Sequence, residues 1–471
     1  EMLEGFSNKG MITVALLFLV SEGIRQSGTL GQVIKKLLPQ GKTTVFKAQL
    51  RILPSVAFIS AFLNNTPVVV IFAPIIKHWA KSVNLPATKF LIPLSYVTIL
   101  GGICTLIGTS TNLVVHGMIL EAGFEGFSMF ELGKVGIFIA IAGIIYIFLF
   151  SKRLLPDARP DTAVPDEEVE EGEKLHRVEA VLGARFPGIN KKLKDFNFQR
   201  HYGAEVKEIK TRNGQRFVSN LEDVVLHEGD TLVVMADDTF IPTWGESSVF
   251  VLLTNGNEPD TTGKKKRWFA LLLLVLMIVG ATVGELPVTK EMFPDIKLDM
   301  FFFVSITTII MAWTNLFPAR KYTKYISWDI LITIACAFAI SKAMVNSGVA
   351  DSVAKFIIGL SDDYGPHVLL AMLFIITNLF TELITNNAAA ALAFPLALSI
   401  ASQLGVSPTP FFVVICMAAS ASFSTPIGYQ TNLIVQGIGN YKFTDFVRIG
   451  LPLNIITFLI SIILIPLIWN F

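Results

Sequence analysis

The sequence is poor in charged residues and in cysteine. Only 16% of its 471 residues are charged, whereas 52% are hydrophobic and 37 are phenylalanine. The 38 basic and 37 acidic residues nearly cancel, so the overall charge indicates no nucleic acid and no acidic partner. The three cysteines, Cys104, Cys336 and Cys416, lie in apolar segments without metal-ligand or redox spacing. These deficits exclude an ordinary soluble protein and predict an integral membrane protein in contact with the lipid bilayer.

Two short polar stretches interrupt long hydrophobic runs. Ser60–Pro67, here the first tip, and Thr381–Ala388, the second tip, are rich in amides and hydroxyls. Such groups are costly at membrane depth unless they are paired or line a cavity. Residues 52–76 and 368–402 are therefore interpreted as two interrupted hairpins whose irregular tips face protein or a water-filled cavity. We interpret the two tips as halves of one binding site.

Glycines and hydroxyls break two further helices, predicted over residues 88–120 and 409–437. Residues 32–51 are amphipathic and basic, and we expect them to lie along an interface or to connect elements. A first helix is predicted around residues 11–20. Uninterrupted apolar runs predict membrane crossings at 134–150, 268–284, 299–317, 328–347 and 449–469.

A polar insertion separates two hydrophobic halves, giving three predicted domains, 1–153, 154–266 and 267–471. The insertion opens with an acidic run, 166–173, for which disorder is expected. Strands are predicted at His176–Leu182, Ala204–Lys210 and Thr231–Ala236, with a tight hairpin at His227–Asp230. Basic residues at both flanking membrane ends predict that this small α/β domain is cytoplasmic.

The two hydrophobic halves repeat each other at polar and glycine positions. Matched pairs are Ser21 and Ser341, Gly28 and Gly348, Ser60 and Thr381, Asn65 and Asn386, and Pro74 and Pro395. The segment Thr105–Gly117 likewise matches Thr425–Gly437. Inverted repeats with interrupted helices are typical of secondary transporters. Because 268–284 and 299–317 have no counterpart in the first half, we expect two more helices upstream of Glu1.

These motifs resemble the divalent anion/sodium symporters, whose hairpin tips carry a Ser-Asn-Thr triplet. The corresponding triplets here are Asn64-Asn65-Thr66 and Thr385-Asn386-Asn387. The resemblance implies dimers that move by an elevator mechanism and an anion site that adds Thr105, Thr425 and Pro426. It also implies two sodium sites, one at Ser60, Asn64, Asn65 and Cys104 and the other at Thr381, Ile384, Asn386 and Ser424, several through backbone carbonyls.

A second resemblance concerns His176–Asp238, which is similar to a TrkA-C (RCK C-terminal) domain. It rests on Leu182–Gly188, Tyr202–Val206 and Leu226–Met235. Such domains bind nucleotide-like ligands or regulate transport. Their insertion in a symporter of this family implies sulfate uptake, and the resemblance places the protein in the plasma (inner) membrane. The resemblances together imply a sodium-coupled symporter of a divalent anion, with sulfate favoured over dicarboxylates.

Other functions compete with this interpretation. A proton-coupled oxyanion exporter of the wider ion-transporter clan would use Glu382, although a structural acceptor is favoured because Ala61 occupies the matching position. In a purely structural alternative, the tip asparagines would only form hydrogen bonds between helices. A channel is disfavoured because no Thr-Val-Gly-Tyr-Gly-like filter is present. An enzyme is least favoured because the insertion shows no nucleophile–base pair.

Overall fold

The computed structural model describes residues 4–39, 41–157, 175–183, 185–211, 215–237, 240–244, 249–254, 264–284, 286–292, 297–360 and 365–471. Within these ranges, the chain forms two helical halves and one small sheet domain between them. The predicted acidic run 166–173 lies outside the described residues.

The first helical half comprises seven helices separated by short polar or glycine-containing segments. They are α1 (Lys9–Gln26), α2 (Thr29–Leu37), α3 (Val45–Ser60), α4 (Asn65–Ser82), α5 (Leu91–Gly102), α6 (Ser110–Glu121) and α7 (Gly133–Leu154). The predicted interruption of 88–120 is confirmed, because residues 103–109, the first break, separate α5 from α6. The first tip likewise separates α3 from α4, and Asn64 caps α4 by accepting from the Thr66 N–H at 3.4 Å.

Residues 32–51 contain the end of α2, a linker and the start of α3. This segment is divided between α2 and α3, and Gln49 of α3 donates hydrogen bonds to the Lys89 carbonyl (2.7 Å) and the Ser151 hydroxyl (3.0 Å). Lys47 and Arg51 are exposed on another side of the same helix. The amphipathic pattern is thus present, with one side of α3 packed on the helices around Lys89 and Ser151.

The sheet domain, residues 176–254, contains an antiparallel sheet with the strand order β3-β2-β4-β1-β5. Its elements in chain order are β1 (His176–Leu182), α8 (Phe198–Tyr202), β2 (Glu205–Lys210), β3 (Arg216–Phe217), β4 (Thr231–Ala236), α9 (Phe240–Trp244) and β5 (Phe250–Thr254). The three predicted strands are confirmed, with β2 starting one residue later than expected. Aromatic residues such as Phe186, Phe198 and Phe250 cover one face of the sheet and form a separate core.

The predicted hairpin at His227–Asp230 is wrong. The preceding residues pair with residues 190–193 instead of with β4: the Asn190 N–H donates to the Leu226 carbonyl at 2.7 Å and the Leu193 N–H to the Val224 carbonyl at 3.0 Å. β4 pairs with β1 and β2. The turn does exist, with the His227 N–H donating to Asp230 Oδ2 at 2.7 Å, but turn chemistry does not specify which segment pairs with the following strand.

The second helical half contains eleven helices. They are α10 (Lys264–Gly284), α11 (Pro287–Met292), α12 (Met300–Trp313), α13 (Tyr322–Tyr325), α14 (Trp328–Asn346), α15 (Val349–Leu360), α16 (Gly365–Leu383), α17 (Asn386–Leu404), α18 (Thr409–Ser420), α19 (Gln430–Gly439) and α20 (Phe443–Ile468). The second tip separates α16 from α17, and residues 421–429, the second break, separate α18 from α19. Both interruptions lie where the sequence predicts them.

Helices α14–α20 follow the same order as α1–α7. Three pairs of helices, α2 and α15, α3 and α16, and α6 and α19, begin 320 residues apart. The repeated polar residues therefore occupy equivalent places in equivalent helices.

By length and composition, five helices in the described part of the chain could cross a membrane. They are Gly133–Leu154, Lys265–Gly284, Gly365–Leu383, Asn386–Leu404 and Phe443–Ile468. These helices are consistent with a multi-pass membrane protein.

Candidate functional site

Four helices begin at the two tips and the two breaks. These are α4 and α17, which start at Asn65 and Asn386, and α6 and α19, which start at Ser110 and Gln430. The first N–H groups of a helix lack intrahelical acceptors, and its N-terminus carries a partial positive charge. Helix N-termini therefore bind anions without needing a lysine or arginine side chain.

Asn65 is the centre of the first tip and is completely buried. The side-chain amide of Asn65 is assigned in the orientation that gives both its nitrogen and its oxygen suitable hydrogen-bond partners. In this orientation, Nδ2 donates to Ser60 Oγ (2.8 Å) and to the Thr98 carbonyl (3.0 Å), and Oδ1 accepts from the Tyr429 hydroxyl at 2.5 Å. Tyr429 belongs to the second break, so this asparagine already joins the two helical halves.

Asn386 occupies the equivalent position in the second tip. Its Oδ1 lies 2.8 Å from Thr381 Oγ1, the same separation as between the Ser60 hydroxyl and the Asn65 amide. Thr381 Oγ1 also lies 2.6 Å from the Ala419 carbonyl oxygen, and its single proton serves one of these two oxygens at a time. Asn386 is 8% exposed, and its Nδ2 has no hydrogen-bond partner among the described residues. This buried donor is therefore free to bind a ligand.

Thr105 and Thr425 hold the two breaks in the same conformation. Their hydroxyl oxygens accept from the N–H groups of Gly108 (3.1 Å) and Gly428 (3.2 Å). Thr105 also donates to the Ala61 carbonyl, and Thr425 donates to the Glu382 carbonyl at 3.1 Å. Each break is thus fastened to the end of the preceding hairpin helix, which places α6 and α19 beside the tips.

Side chains of each tip bind the broken helix of the opposite half. Thr66 donates to Gln430 Oε1 at 3.2 Å, and Asn387 Oδ1 accepts from Ser110 and Thr111, each at 3.2 Å. The structure therefore joins the two predicted triplets through α6 and α19. Residues 110–112 and 430–432 were recognised from the sequence only as part of the repeat. Their position directly after the breaks, at the starts of α6 and α19, is the signal that could have placed them at the site.

Tyr429 completes the connection between the two broken helices. Its hydroxyl lies 3.0 Å from Thr109 Oγ1, in addition to its contact with Asn65. Hydrogen bonds consequently run from α4 to α19, from α19 to α6 and from α6 to α17. The four helix N-termini form one continuous polar cluster, which the sequence analysis predicted only in part because it did not single out Tyr429.

The remaining predicted residues lie at the margin of this cluster. Asn64 lines a cleft with Ser110 and with apolar residues of α1 and α10. Thr385 caps α17 by accepting from the Ala388 N–H at 3.4 Å, and Ile384 is exposed beside it. Pro426 is buried within the second break.

The structure gives the least support to Cys104. A methyl group added to Gly133 of α7 would lie 2.7 Å from the Cys104 carbonyl oxygen, so this oxygen faces α7. The contacts of its predicted counterpart, Ser424, are with Glu382 and Asn454. Neither residue has a described hydrogen bond to a tip asparagine.

Glu382 acts as a structural acceptor, as the sequence analysis favoured. Its Oε1 accepts from the Ser424 N–H (2.8 Å) and from Asn454 Nδ2 (2.7 Å). These contacts connect the second tip with the second break and α20. A carboxylate that accepts from a backbone N–H and an amide fixes these elements in place.

The cluster is chemically suited to a small anion together with an alkali cation. Hydroxyls, an unpartnered amide N–H group and helix N-termini can donate to an anion. Hydroxyl and amide oxygens are hard ligands for an ion such as sodium. The described residues contain no group of three or more His, Cys, Asp or Glu side chains placed to bind a metal.

The chain is similar to known transporters along its whole length. It matches the family model described as citrate transporter (CitMHS) over residues 1–405 and 296–470. The uncharacterized transporter sll0640 of Synechocystis sp. is 30% identical over 100% of this chain and 90% of its own length. The probable sodium/sulfate cotransporter 3 of Chlamydomonas reinhardtii is 33% identical over 59% of this chain and 31% of its own length.

A solved structure supports the same fold. The crystal structure of the Alcanivorax borkumensis YdaH transporter, described as having an unusual topology, aligns with a TM-score of 0.57 and 12% identity. The alignment covers 99% of this chain and 86% of that chain. Since the family model also matches well over half of the sequence, this protein belongs to the citrate transporter family and is a membrane transporter, not an enzyme.

Proposed function

We propose that the protein is a secondary-active symporter that moves a divalent anion, in the first instance sulfate, together with sodium. The observation that carries this proposal is the cluster of four helix N-termini, joined by the side chains of the two tips and the two breaks. Such an arrangement binds an anion without a buried cationic side chain. The similarity to a probable sodium/sulfate cotransporter supports the choice of both ions.

In this proposal, the anion binds the two triplets and the threonines of the breaks. Asn386 offers an unpartnered donor, and the hydroxyls of Thr66, Ser110 and Thr111, which donate to Gln430 and Asn387, would donate to the anion instead. Asn387 would contribute its Nδ2 group, because its Oδ1 can only accept. Hydrogen-bonded groups lose little when one good partner replaces another, so the exchange is inexpensive. The remaining members are Asn64, Asn65, Thr105, Thr385, Thr425 and Pro426.

The proposed sodium sites are built around the two equivalent hydroxyl–amide pairs. Ser60 with Asn65 forms the first, and Thr381 with Asn386 forms the second, each pair separated by 2.8 Å. Asn64 and the carbonyls of Ile384 and Ser424 are further proposed ligands, and Cys104 is the weakest member because its carbonyl oxygen faces α7. One sodium ion beside each tip would offset the two negative charges of a bound divalent anion.

The matching order of helices supports two repeats, and we propose that they are inverted relative to each other with the site at their interface. We propose that the hairpins and broken helices move together as one body, in an elevator-type movement. We further propose that the protein forms a homodimer in the plasma (inner) membrane, with the sheet domain in the cytoplasm.

Uptake by purified protein in lipid vesicles tests this function. With an inward sodium gradient, we expect labelled sulfate to accumulate at least tenfold faster than with a potassium gradient. A proton gradient imposed without sodium is the control for proton coupling. Equal uptake under sodium and potassium would contradict sodium symport.

Sodium-coupled dicarboxylate or citrate transport is the second candidate, because the matching family is described as citrate transporter. Unlabelled succinate and citrate added to the same sulfate assay distinguish the two candidates. If either competes better than unlabelled sulfate, the second candidate is favoured.

The sheet domain is proposed to be a TrkA-C-like regulator that binds a nucleotide-like ligand. Its second face lies against helices that start at the site. Glu179 of β1 forms an ion pair with Lys77 of α4 (2.9 Å), and a methyl group on Gly437 of α19 would lie 2.6 Å from Thr231 Oγ1 of β4. A conformational change in the sheet domain can therefore be transmitted to both α4 and α19.

Deletion of residues 160–260 should alter the regulation of transport more than the choice of substrate.

The Glu179 carboxylate is expected to hold this interface together. Burial alone would raise its pKa, but the ammonium groups of Lys77 and Lys210 outweigh burial and lower the pKa to about 2. Lys210 belongs to the sheet domain itself, so only the part of this lowering that comes from Lys77 of α4 depends on docking. Because that part lowers the pKa in the docked state, the ionised carboxylate stabilises docking, fully so above its ordinary pKa. This contribution is lost as the pH falls from about 4 towards 2.

Glu179→Gln should weaken docking at pH 7, since Lys77 loses its carboxylate partner. We expect faster amide hydrogen exchange in β1 and α4, by about tenfold or more. Glu205→Gln is the matched control, because Glu205 pairs with Lys207 on the exposed edge. Unchanged exchange in Glu179→Gln, or a loss of docking in the wild type between pH 8 and 5, would contradict this role.

A further inference from the structure

The two halves carry different side chains at the point where the broken helices begin. Thr109 precedes α6 with φ −137° and ψ 143°, and Tyr429 precedes α19 with φ −136° and ψ 132°. The backbone is thus the same at these equivalent positions, but one side chain is a short alcohol and the other a large phenol. At this position the site is therefore asymmetric in its side chain and not in its backbone.

Tyr429 extends into the first half and takes up the amide oxygen of Asn65. Its hydroxyl lies 2.5 Å from that oxygen and 3.0 Å from Thr109 Oγ1, so Asn65 is fully hydrogen-bonded. The Thr109 side chain is much shorter and has its described hydrogen bond with Tyr429. Asn386, the counterpart of Asn65, has no described contact with an aromatic hydroxyl, and its buried Nδ2 has no partner among the described residues.

This difference predicts where an anion would sit. The open donor is on the side of Asn386, whereas the side of Asn65 is closed by an aromatic ring. A ligand would thus lie off the axis that relates the two halves, with the Tyr429 ring as one wall of its site. A packed wall limits the length of a ligand more strictly than its charge, because displacing the partly buried Tyr429 ring would disturb its packing.

We propose that Tyr429 is the size-determining residue of the substrate site, which it restricts to compact tetrahedral divalent oxyanions by excluding longer dicarboxylates. The proposal rests on the transport function proposed above and specifies its substrate class. Tyr429 acts through the volume of its ring, and its hydroxyl positions Asn65.

The test compares sulfate and succinate uptake by Tyr429→Thr, Tyr429→Phe and wild-type protein in the same vesicles with sodium. Tyr429→Thr installs the residue of the equivalent position, and we expect the ratio of sulfate to succinate uptake to fall at least tenfold through faster succinate uptake. Tyr429→Phe keeps the ring, so its ratio should stay within twofold of the wild type while both rates fall several-fold. Tyr146→Phe is the control, because it removes another tyrosine hydroxyl, bonded to the Ile449 carbonyl at 3.0 Å, outside the site.

Tyr429→Leu provides a second small variant should the threonine variant not fold, with an expected fall in the ratio of about threefold. An unchanged ratio in the folded small variants, or the same change in Tyr429→Phe, would overturn the size-determining role. A wild-type protein that prefers succinate would overturn it as well. Failure of the proposed symport would be distinguishable from failure of this proposal. It would appear as wild-type uptake that does not depend on sodium.

Discussion

Replacing Asn65 or Asn386 with alanine should reduce sodium-dependent anion uptake at least 100-fold while leaving the protein folded and inserted. Asn65 connects Ser60, Thr98 and Tyr429, and Asn386 carries the unpartnered donor beside Thr381. Each substitution removes a proposed ligand from one of the two half-sites. Hydrogen bonds between helices in membranes contribute only about 0.6–2 kcal/mol each, so the loss of those made by Asn65 should lower the stability without unfolding the protein.

Uptake in vesicles, together with the thermal unfolding temperature of the purified variants, checks this prediction. Asn470→Ala is the matched control, because Asn470 is an exposed asparagine near the end of the chain, after α20. Near-normal uptake by both tip variants would contradict the hypothesis that the two tips form one binding site. Loss of folding in both would instead support a structural role for the asparagines.

The second large effect is expected from Gly428→Ala in the second break. The added methyl group would lie 2.0 Å from Ser422 Oγ and 2.6 Å from the Thr381 carbonyl oxygen, both shorter than a normal contact. Overpacking of this kind costs about 1–3 kcal/mol, and it displaces the end of α16 that holds the second tip. We expect uptake to fall at least tenfold and the unfolding temperature to drop by several degrees.

Gly108→Ala should act in the same direction, since its methyl group would lie 2.6 Å from the Gly102 carbonyl oxygen. Gly359→Ala in α15 is the control, because nothing lies within 4 Å of the added methyl group and alanine favours a helix. The account of the breaks would be contradicted by full uptake in both break variants. It would also be contradicted if Gly359→Ala were equally harmful.

Much of this architecture was predictable because it depends on local composition. Glycines and hydroxyls near Thr105 and Thr425 weaken a helix wherever they occur, so both breaks could be located from the sequence. The β-branched and apolar residues of Thr231–Ala236 likewise specify a strand. The repeat then indicated which interruptions belong together.

The parts that sequence reasoning missed depend on contacts between distant residues. Tyr429 and Asn65 are 364 positions apart, and Lys77 and Glu179 are 102 positions apart. No periodicity reports such contacts, because they arise only when the two halves and the sheet domain pack together. The same reason explains the wrong hairpin at His227–Asp230, whose local turn is correct but whose strand partner is not.

The most direct test of the central claim is the position of a bound anion in crystals of the protein grown with sodium and selenate, a heavier analogue of sulfate. The account predicts one anomalous selenium peak at the meeting point of α4, α6, α17 and α19, within hydrogen-bond distance of groups from both tips. A selenate bound by only one half, or bound elsewhere in the protein, would contradict the claim that the two tips form one site.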